Sequence, residues 1–304
     1  MNVGELSPAL VSSRMAADGL AVAIPPVTVR LRSPLRQVAT QFHSLYADYM
    51  VADARDYADI DVRLVPAGGA RRWLRPQVQF VVDGVMPFDA FPQDHALPLF
   101  EWGLNWVFSH RMHDHLVLHA AAVARGGRAL LLPAWPGSGK STLAASLASR
   151  GWRFFSDEFG LVKLDGGDVI PFVRPVALKN QSIAVMRAFD PHAFIGTSFP
   201  KTRKGTVAHL RAPAESVRRA REPARVGAVV FPDFEAGAEA SMRRIDKATA
   251  FLKLAGNAFN YEVVGERGFK AVAAIIRGCE SYILRYGDLD AAHAAIEGVM
   301  GDRA

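Results

Sequence analysis

The stretch 129–149, ALLLPAWPGSGKSTLAASLAS, restricts the fold more than any other part of the chain. An apolar run, Ala129–Leu132, leads into a loop with glycines at 137 and 139. The loop opens a helix whose apolar face is Leu143, Ala144, Leu147 and Ala148. Gly137 and Gly139 let successive backbone N–H groups turn inward around an anion, where side chains would obstruct them. Lys140 brings a cation to the outer phosphate oxygens, and the Ser141 hydroxyl is placed to ligate Mg2+. The first turn of the helix directs its positive end at the same point. The pattern is Ala134-x4-Gly139-Lys140-Ser141, with alanine at the position that only enters the loop. It predicts a phosphate-binding loop, with Pro136, Gly137, Ser138, Gly139, Lys140, Ser141 and Thr142 against the nucleotide. The implied cofactors are ATP and Mg2+.

With 304 residues the chain has room for two domains, and half of it is apolar, enough for a sizeable core. Cys279 is its one cysteine, so an intramolecular disulfide is excluded and a reducing compartment fits. The first twenty residues lack a basic leader followed by an apolar block, and no run approaches the roughly 20 apolar residues of a membrane span. These features predict a cytoplasmic protein without a membrane span. The net charge of +6 is local: Lys201–Arg225 carries eight cations against two acids, the whole excess. Such a segment suits phosphate contacts or an acidic partner, or it is a solvated face. It lacks the interleaved aromatics of a nucleic-acid stacking surface, so no nucleic acid is expected.

Patterning divides the chain into a loosely held arm at 1–26, an N-terminal α/β unit at 27–112, and a nucleotide-binding domain at 113–304. Strand alternation marks Val27–Arg32, Ile60–Val65 and Val78–Val82, and Gln37–Tyr49 reads as a helix between them. A proline-marked stretch then leads to a helix at Leu99–His110. Leu116–Ala124 is expected to pair with the strand before the loop through a turn at Arg125-Gly126-Gly127-Arg128. Trp152–Phe155 is the next strand. Strands at Val226–Phe231 and Tyr282–Leu284 and helices at Lys247–Ala255, Gly268–Arg277 and Leu289–Met300 complete the reading. Val226–Phe231 with Pro232-Asp233 could pass as a second nucleotide-site strand, but its proline and its distance from the loop favour a structural strand.

A second constellation follows the first helix. Asp157, in Ser156-Asp157-Glu158, lies 17 residues after Lys140. One helix, a turn at Gly151 and a strand fit that distance and return a carboxylate to the nucleotide. There it can orient an attacking hydroxyl or hold the metal. An acidic helix cap is the plainer alternative.

The order of His119, the Lys140 loop, a helix, a Gly-Trp-Arg turn and Ser-Asp-Glu resembles the catalytic core of the HPr kinase/phosphorylase superfamily. It is closer still to the bacterial group called HprK-related kinase A, through LPLFEWGLNW, LVLHAAAV, PGSGKSTL, GWRFFSDEFGLV, RPVALKNQSI, KGTVAHL and YILRYGDLDAA. The resemblance implies an α/β fold, a P-loop kinase core of the HPr kinase/PEP carboxykinase-like type with a small mixed α/β N-terminal unit. It implies ATP-dependent transfer of a phosphoryl group to a hydroxyl, serine foremost, of a protein or peptide. Asp157 would be the base, with Glu158 assisting it, and Ser141, Asp157 and Glu158 would hold Mg2+. His119 would sit near the γ-phosphate or the base, Arg174 beside the substrate, and Lys179, Asn180 and Lys204 against phosphate. Two departures stand out. Phe172 occupies the place of a metal-assisting glutamate, and Arg174–Lys179 replaces the glycine-rich signature. Neither phosphorolysis nor HPr as substrate is carried over.

His110, His113 and His115 have too little metal-ligand character for zinc and read as a polar helix end. Neither a guanine-reading Asn-Lys-x-Asp nor a Leu-Ser-Gly-Gly-Gln signature occurs, against a GTPase or an ABC-type ATPase. A small-molecule kinase, with 201–225 as its lid, and a non-catalytic nucleotide-gated binding protein remain alternatives. Homo-oligomerisation is left open.

Overall fold

The computed structural model describes residues 1–53, 57–69, 74–135, 137–165 and 167–301. Its first helix, α1 (Pro8–Ala16), starts where the Ser7 side chain accepts the Leu10 N–H and Pro8 takes the first helical position. Val11 and Met15, four apart, are buried on its inner face. A hairpin of β1 (Leu20–Ile24) and β2 (Val27–Arg32) follows, then α2 (Arg36–Leu45), β3 (Ile60–Pro66), β4 (Gln77–Val82) and β5 (Phe91–Pro92). The five strands form one sheet in chain order. The 1–26 segment is therefore no loose arm. Val3, Val11, Met15, Leu20, Val22 and Ile24 are buried, and β1 pairs along its length with β2. The apolar positions are too widely spaced among Ser and Ala to have read as a periodic element.

Helix α3 (Ala96–Arg111) buries Phe100, Leu104, Val107 and Phe108 against this sheet. Gly103 lets the Phe80 ring lie directly on the helix, since a Cβ there would collide with it.

From there β6 (His115–Arg125) and β7 (Arg128–Pro133) form the expected hairpin, Gly126 and Gly127 both holding positive φ (57° and 75°) in its turn. The chain continues through α4 (Lys140–Ser149), β8 (Arg153–Ser156), β9 (Phe159–Lys163) and β10 (Asp168–Ile170). Next come β11 (Val176–Lys179), α5 (Gln181–Phe189), β12 (Phe199–Thr202), β13 (Gly205–Leu210) and the short α6 (Ala214–Arg218). The last elements are β14 (Ala224–Phe234), β15 (Ser241–Arg244), α7 (Lys247–Ala255), α8 (Tyr261–Gly278), β16 (Glu280–Tyr286) and α9 (Leu289–Gly301).

The main sheet runs β10-β9-β6-β7-β14-β16-β15, with β8 also on β6; β10 reaches β14 as well, so the sheet curls on itself. A separate three-stranded sheet has the order β11-β13-β12. The class is mixed α/β. Side chains alternate along β7: Leu130 and Leu132 join the core under α4 and α9, while Ala129 and Leu131 join the core under α7 and α8. A strand buried on both faces reads as continuous apolar sequence, as Ala129–Leu132 does. β14 is parallel to both β7 and β16, so Val226–Phe231 is the strand next to the glycine loop, not a remote one.

Candidate functional site

Strands β7, β14 and β16 are parallel, and the 134–139 loop leaves the carboxyl end of β7. Crevices outside such strand ends are where ligands bind in open α/β sheets. Gly137 and Gly139 hold φ of 95° and 82°, conformations that an L side chain adopts only with strain. Gly139 is also crowded: a Cβ there would run into the Tyr286 hydroxyl at the end of β16. The loop and the start of α4 border a cavity of about 470 Å³, within the range of small-molecule sites.

His119, Lys140 and Glu158 meet at this cavity. Lys140 Nζ lies 2.9 Å from His119 Nε2, Glu158 Oε1 lies 3.2 Å from the same nitrogen, and Glu158 Oε2 is 3.9 Å from Nζ. One ring nitrogen serves only one of them at a time: unprotonated it accepts from the ammonium, protonated it donates to the carboxylate. β6 fixes the imidazole, since the His119 N–H is bonded to the Asn257 carbonyl at 2.6 Å and the ring packs on Phe259.

Asp157 and Glu158 occupy the connection between β8 and β9, where Ser156 Oγ accepts the N–H groups of Glu158 (3.2 Å) and Phe159 (2.9 Å). Being consecutive, the two carboxylates face different surroundings. Glu158 lines the large cavity. Asp157 is buried, accepts the Ala177 N–H at 3.1 Å, and lines a smaller cavity of about 20 Å³ behind, room for one water. Glu158 and Ala177 border both spaces.

The electrostatics separate the pair further. Burial pushes the Asp157 carboxyl up, as does the charge of Glu158, against the pull of Lys140, the Ala177 N–H and Arg174. Burial would raise Glu158 too, but the His119 hydrogen bond and the Lys140 charge outweigh it and hold the group at about 2. Burial lowers Lys140, opposed by Glu158 and Asp157. Carboxylates driven apart in this way can divide acid–base and purely ionic work.

Arg174 does not face the nucleotide-sized cavity. Its guanidinium is buried, bonded to Glu101 Oε2 (2.7 Å), the Glu101 carbonyl (3.1 Å) and Asn105 Oδ1 (2.6 Å), all on α3. It lines the small cavity with Asp157, so it can act on a substrate only through that carboxylate. Phe172 is a core residue packed on Phe108, and the carboxylate lining that small cavity beside it is Glu101, whose Oε1 accepts the Tyr46 hydroxyl (2.6 Å).

Lys179 and Lys204 line the large cavity with Lys140, Gly137, Ser138, Gly139, Ser141 and Thr142. Asn180 instead braces the turn after β12, its side chain accepting the Thr206 N–H at 3.0 Å. Pro136 lies outside the described residues. In the basic 201–225 segment, Arg211 pairs with Asp48, Arg218 with Glu215, and Arg219 with Glu222 and Glu215, so Lys204 is its contribution to the cavity. His110 bonds the Trp106 carbonyl at 2.8 Å at the end of α3. Among the described residues no three His, Cys, Asp or Glu side chains are gathered as a metal site, and no helix is long and apolar enough to cross a membrane.

Sequence reasoning gave no role to Tyr286 or Glu101, although YILRYGD and LPLFEWGLNW contain them. Their signal is a polar atom in an apolar run, and it becomes specific only once the elements meet. No protein-family model matches the chain, and no curated protein matches its sequence.

Proposed function

We propose that the protein is an ATP-dependent kinase that transfers the γ-phosphoryl group to a hydroxyl, serine foremost, of a protein or peptide. One observation carries the reading: a glycine loop opening a helix shares a single cavity with Lys140, Lys179, Lys204 and the His119–Glu158 pair. Backbone N–H groups, a helix start and ammonium groups suit a polyphosphate. Phosphoryl transfer depends on positioning and charge stabilisation more than on covalent chemistry, which suits a site of this kind. The core is accordingly read as a P-loop kinase core of the HPr kinase type.

The donor set fits a magnesium ion in part: hard oxygens from Ser141 and Glu158 border the phosphate cradle, while Asp157 lies in the small cavity behind it. When bound, that ion offsets charge on the transferring group. Lys140 is the cation against the outer phosphates. Glu158, ionised throughout the physiological range, is a poor proton acceptor and serves as the fixed anion beside Lys140 and His119. Asp157, raised by burial, is the better base and takes the acceptor's proton. The Ala177 N–H holds that carboxylate, and the Arg174 charge favours its ionised form.

The test uses γ-labelled ATP with cell extract. Label on protein bands with the wild type, and none with Asp157→Ala although ATP still binds, supports the reading. Full transfer by Asp157→Ala, or label in small molecules alone, overturns it.

A further inference from the structure

The ion pairs of Arg211, Arg218 and Arg219 leave part of the basic 201–225 segment unneutralised. Among the described residues Lys201, Arg203 and Lys204 have no carboxylate within ion-pair distance, and all three lie at one hairpin turn. The turn joins β12 to β13, with Thr202 opposite Gly205. It is pinned from within: the Thr202 hydroxyl donates to the Gly205 carbonyl (2.7 Å) and accepts the Lys204 N–H (3.1 Å). Lys201 leads into it at a φ of 59°, left-handed backbone that a residue with a side chain adopts only with strain. The cations are therefore held by a fixed loop, which loses little freedom when it binds a partner.

The turn reaches across to the N-terminal unit. Arg203 stands 5.3 Å over the Phe91 ring of β5 and Lys204 stands 5.5 Å over the Trp102 ring of α3. The two rings are 6.0 Å apart, so cation, ring, ring and cation form one row. Trp102 lines the small cavity that holds Asp157, whereas Lys204 lines the large one with Lys140 and Lys179. Burial and the Lys179 and Lys140 charges lower the proton affinity of Lys204, while Glu158 and Asp157 raise it. This end of the row thus lies among the groups assigned to the transfer. Arg203 is exposed, lines neither cavity, and marks the outer end.

Such a row matches an extended polypeptide. Alternate side chains of an extended chain share one face at a spacing of about 7 Å, close to that of the rings. A side chain delivered at the Trp102 end has its neighbour two residues away at Phe91, beside Arg203. A carboxylate in that place meets the Arg203 guanidinium in the positive field that Lys201 adds. Nucleic acid fits less well. The rings are inclined at 63° and each already carries a cation, so they form no platform for stacked bases.

We propose that the acceptor is an extended acidic segment of a protein, its hydroxyl entering at Trp102 and a carboxylate two residues from it held by Arg203. The inference rests on the kinase reading above and names the charge of its substrate.

A serine peptide library, randomised on both sides of the acceptor and phosphorylated by the full chain with γ-labelled ATP and Mg2+, tests it. Asp or Glu should be selected two residues from the serine, on its N- or C-terminal side. For a selected peptide, Arg203→Ala should raise KM about two- to fivefold, as expected for one exposed ion pair, with kcat and the KM for ATP unchanged. Arg203→Glu should raise it about tenfold and use a peptide with Lys at that position better than the wild type does, a gain that misfolding cannot produce. Selection of no acid at either position, or an unchanged KM in Arg203→Glu, overturns the docking row while the kinase reading stands. Inhibition by a single-stranded oligonucleotide that Arg203→Glu abolishes, without acid selection in the library, assigns the row to nucleic acid and overturns it too. If ATP binds but no peptide is labelled, the transfer to peptides itself fails and the docking row falls with it.

Discussion

Glu101 and Arg174 form an ion pair with side chains 3% and 9% exposed, joined at 2.7 Å, between α3 and the segment leading into β11. Breaking a buried pair by removing one partner costs about 3–5 kcal/mol, because the remaining charge stays buried without compensation. Glu101→Leu strands the Arg174 cation and also orphans the Tyr46 hydroxyl, which donates to Glu101 at 2.6 Å. Its cost should lie at the upper end, about 5 kcal/mol. Arg174→Met leaves Glu101 with its Tyr46 donor and should cost nearer 3 kcal/mol. The double variant leaves neither charge, and apolar replacement of a buried pair is often close to neutral, so it should lose only about 1–2 kcal/mol. Urea unfolding followed by tryptophan fluorescence and circular dichroism gives the four midpoints and the coupling energy. A double variant that loses the sum of the single losses would refute the idea of one coupled unit. On the proposed kinase reading the pair bears on the reaction as well, because the Arg174 charge lowers the proton affinity of Asp157. Without it the base ionises only at higher pH, so the acidic limb of the activity profile should move upward in Arg174→Met.

The loop offers a second cycle: Gly139→Ala should cost about 2 kcal/mol from positive φ and from collision with the Tyr286 hydroxyl, and Tyr286→Phe should recover about half in thermal melts. Asp157→Asn should melt at a higher temperature than the wild type at pH 7 while losing phosphoryl transfer. The sign follows from its raised pKa: the stability is fully present below the unfolded value and lost as pH rises through the folded one, a loss the amide does not suffer. Glu158 works the other way. With its folded value at about 2 against an ordinary 4.5, its stabilisation is present above 4.5 and lost as pH falls toward 2, so Glu158→Gln should flatten acid unfolding across that window.

Much of the fold is legible in the chain because its strongest signals are periodic. Lys247–Ala255 is a helix at the bounds read from the sequence, and the Gly126-Gly127 turn closes the hairpin its dipeptide requires. Gln37–Tyr49 overran its helix: Tyr46 and Tyr49 are buried, but beyond the end at Leu45, where the aromatic stripe continues into the turn. The arm at 1–26 misled for the opposite reason, a capped helix whose buried positions are few. β14 misled because proximity in a sheet is unrelated to distance along the chain. Its parallel pairing with β7 depends on a crossover of about ninety residues, which no local pattern encodes.

The site was legible only where one residue type forces one geometry. Glycine, lysine and serine at 137–141 do so, and the cavity contains them. The carboxylates do not, because spacing alone makes Asp157 and Glu158 look like one paired device at equal distance from the loop. Their separation comes from the bend between β8 and β9, which buries Asp157 in the small cavity and brings Glu158 to the large one. Glu158 meets His119 and Lys140, which arrive from β6 and α4. Asp157 meets the Ala177 N–H and the small cavity that Arg174 and Glu101 close from the N-terminal sheet's side. Beyond their effect on each other, the proton affinity of each carboxylate is thus set by groups seventeen or more residues away along the chain, so the difference between them is a property of the assembled sheets rather than of the tandem motif.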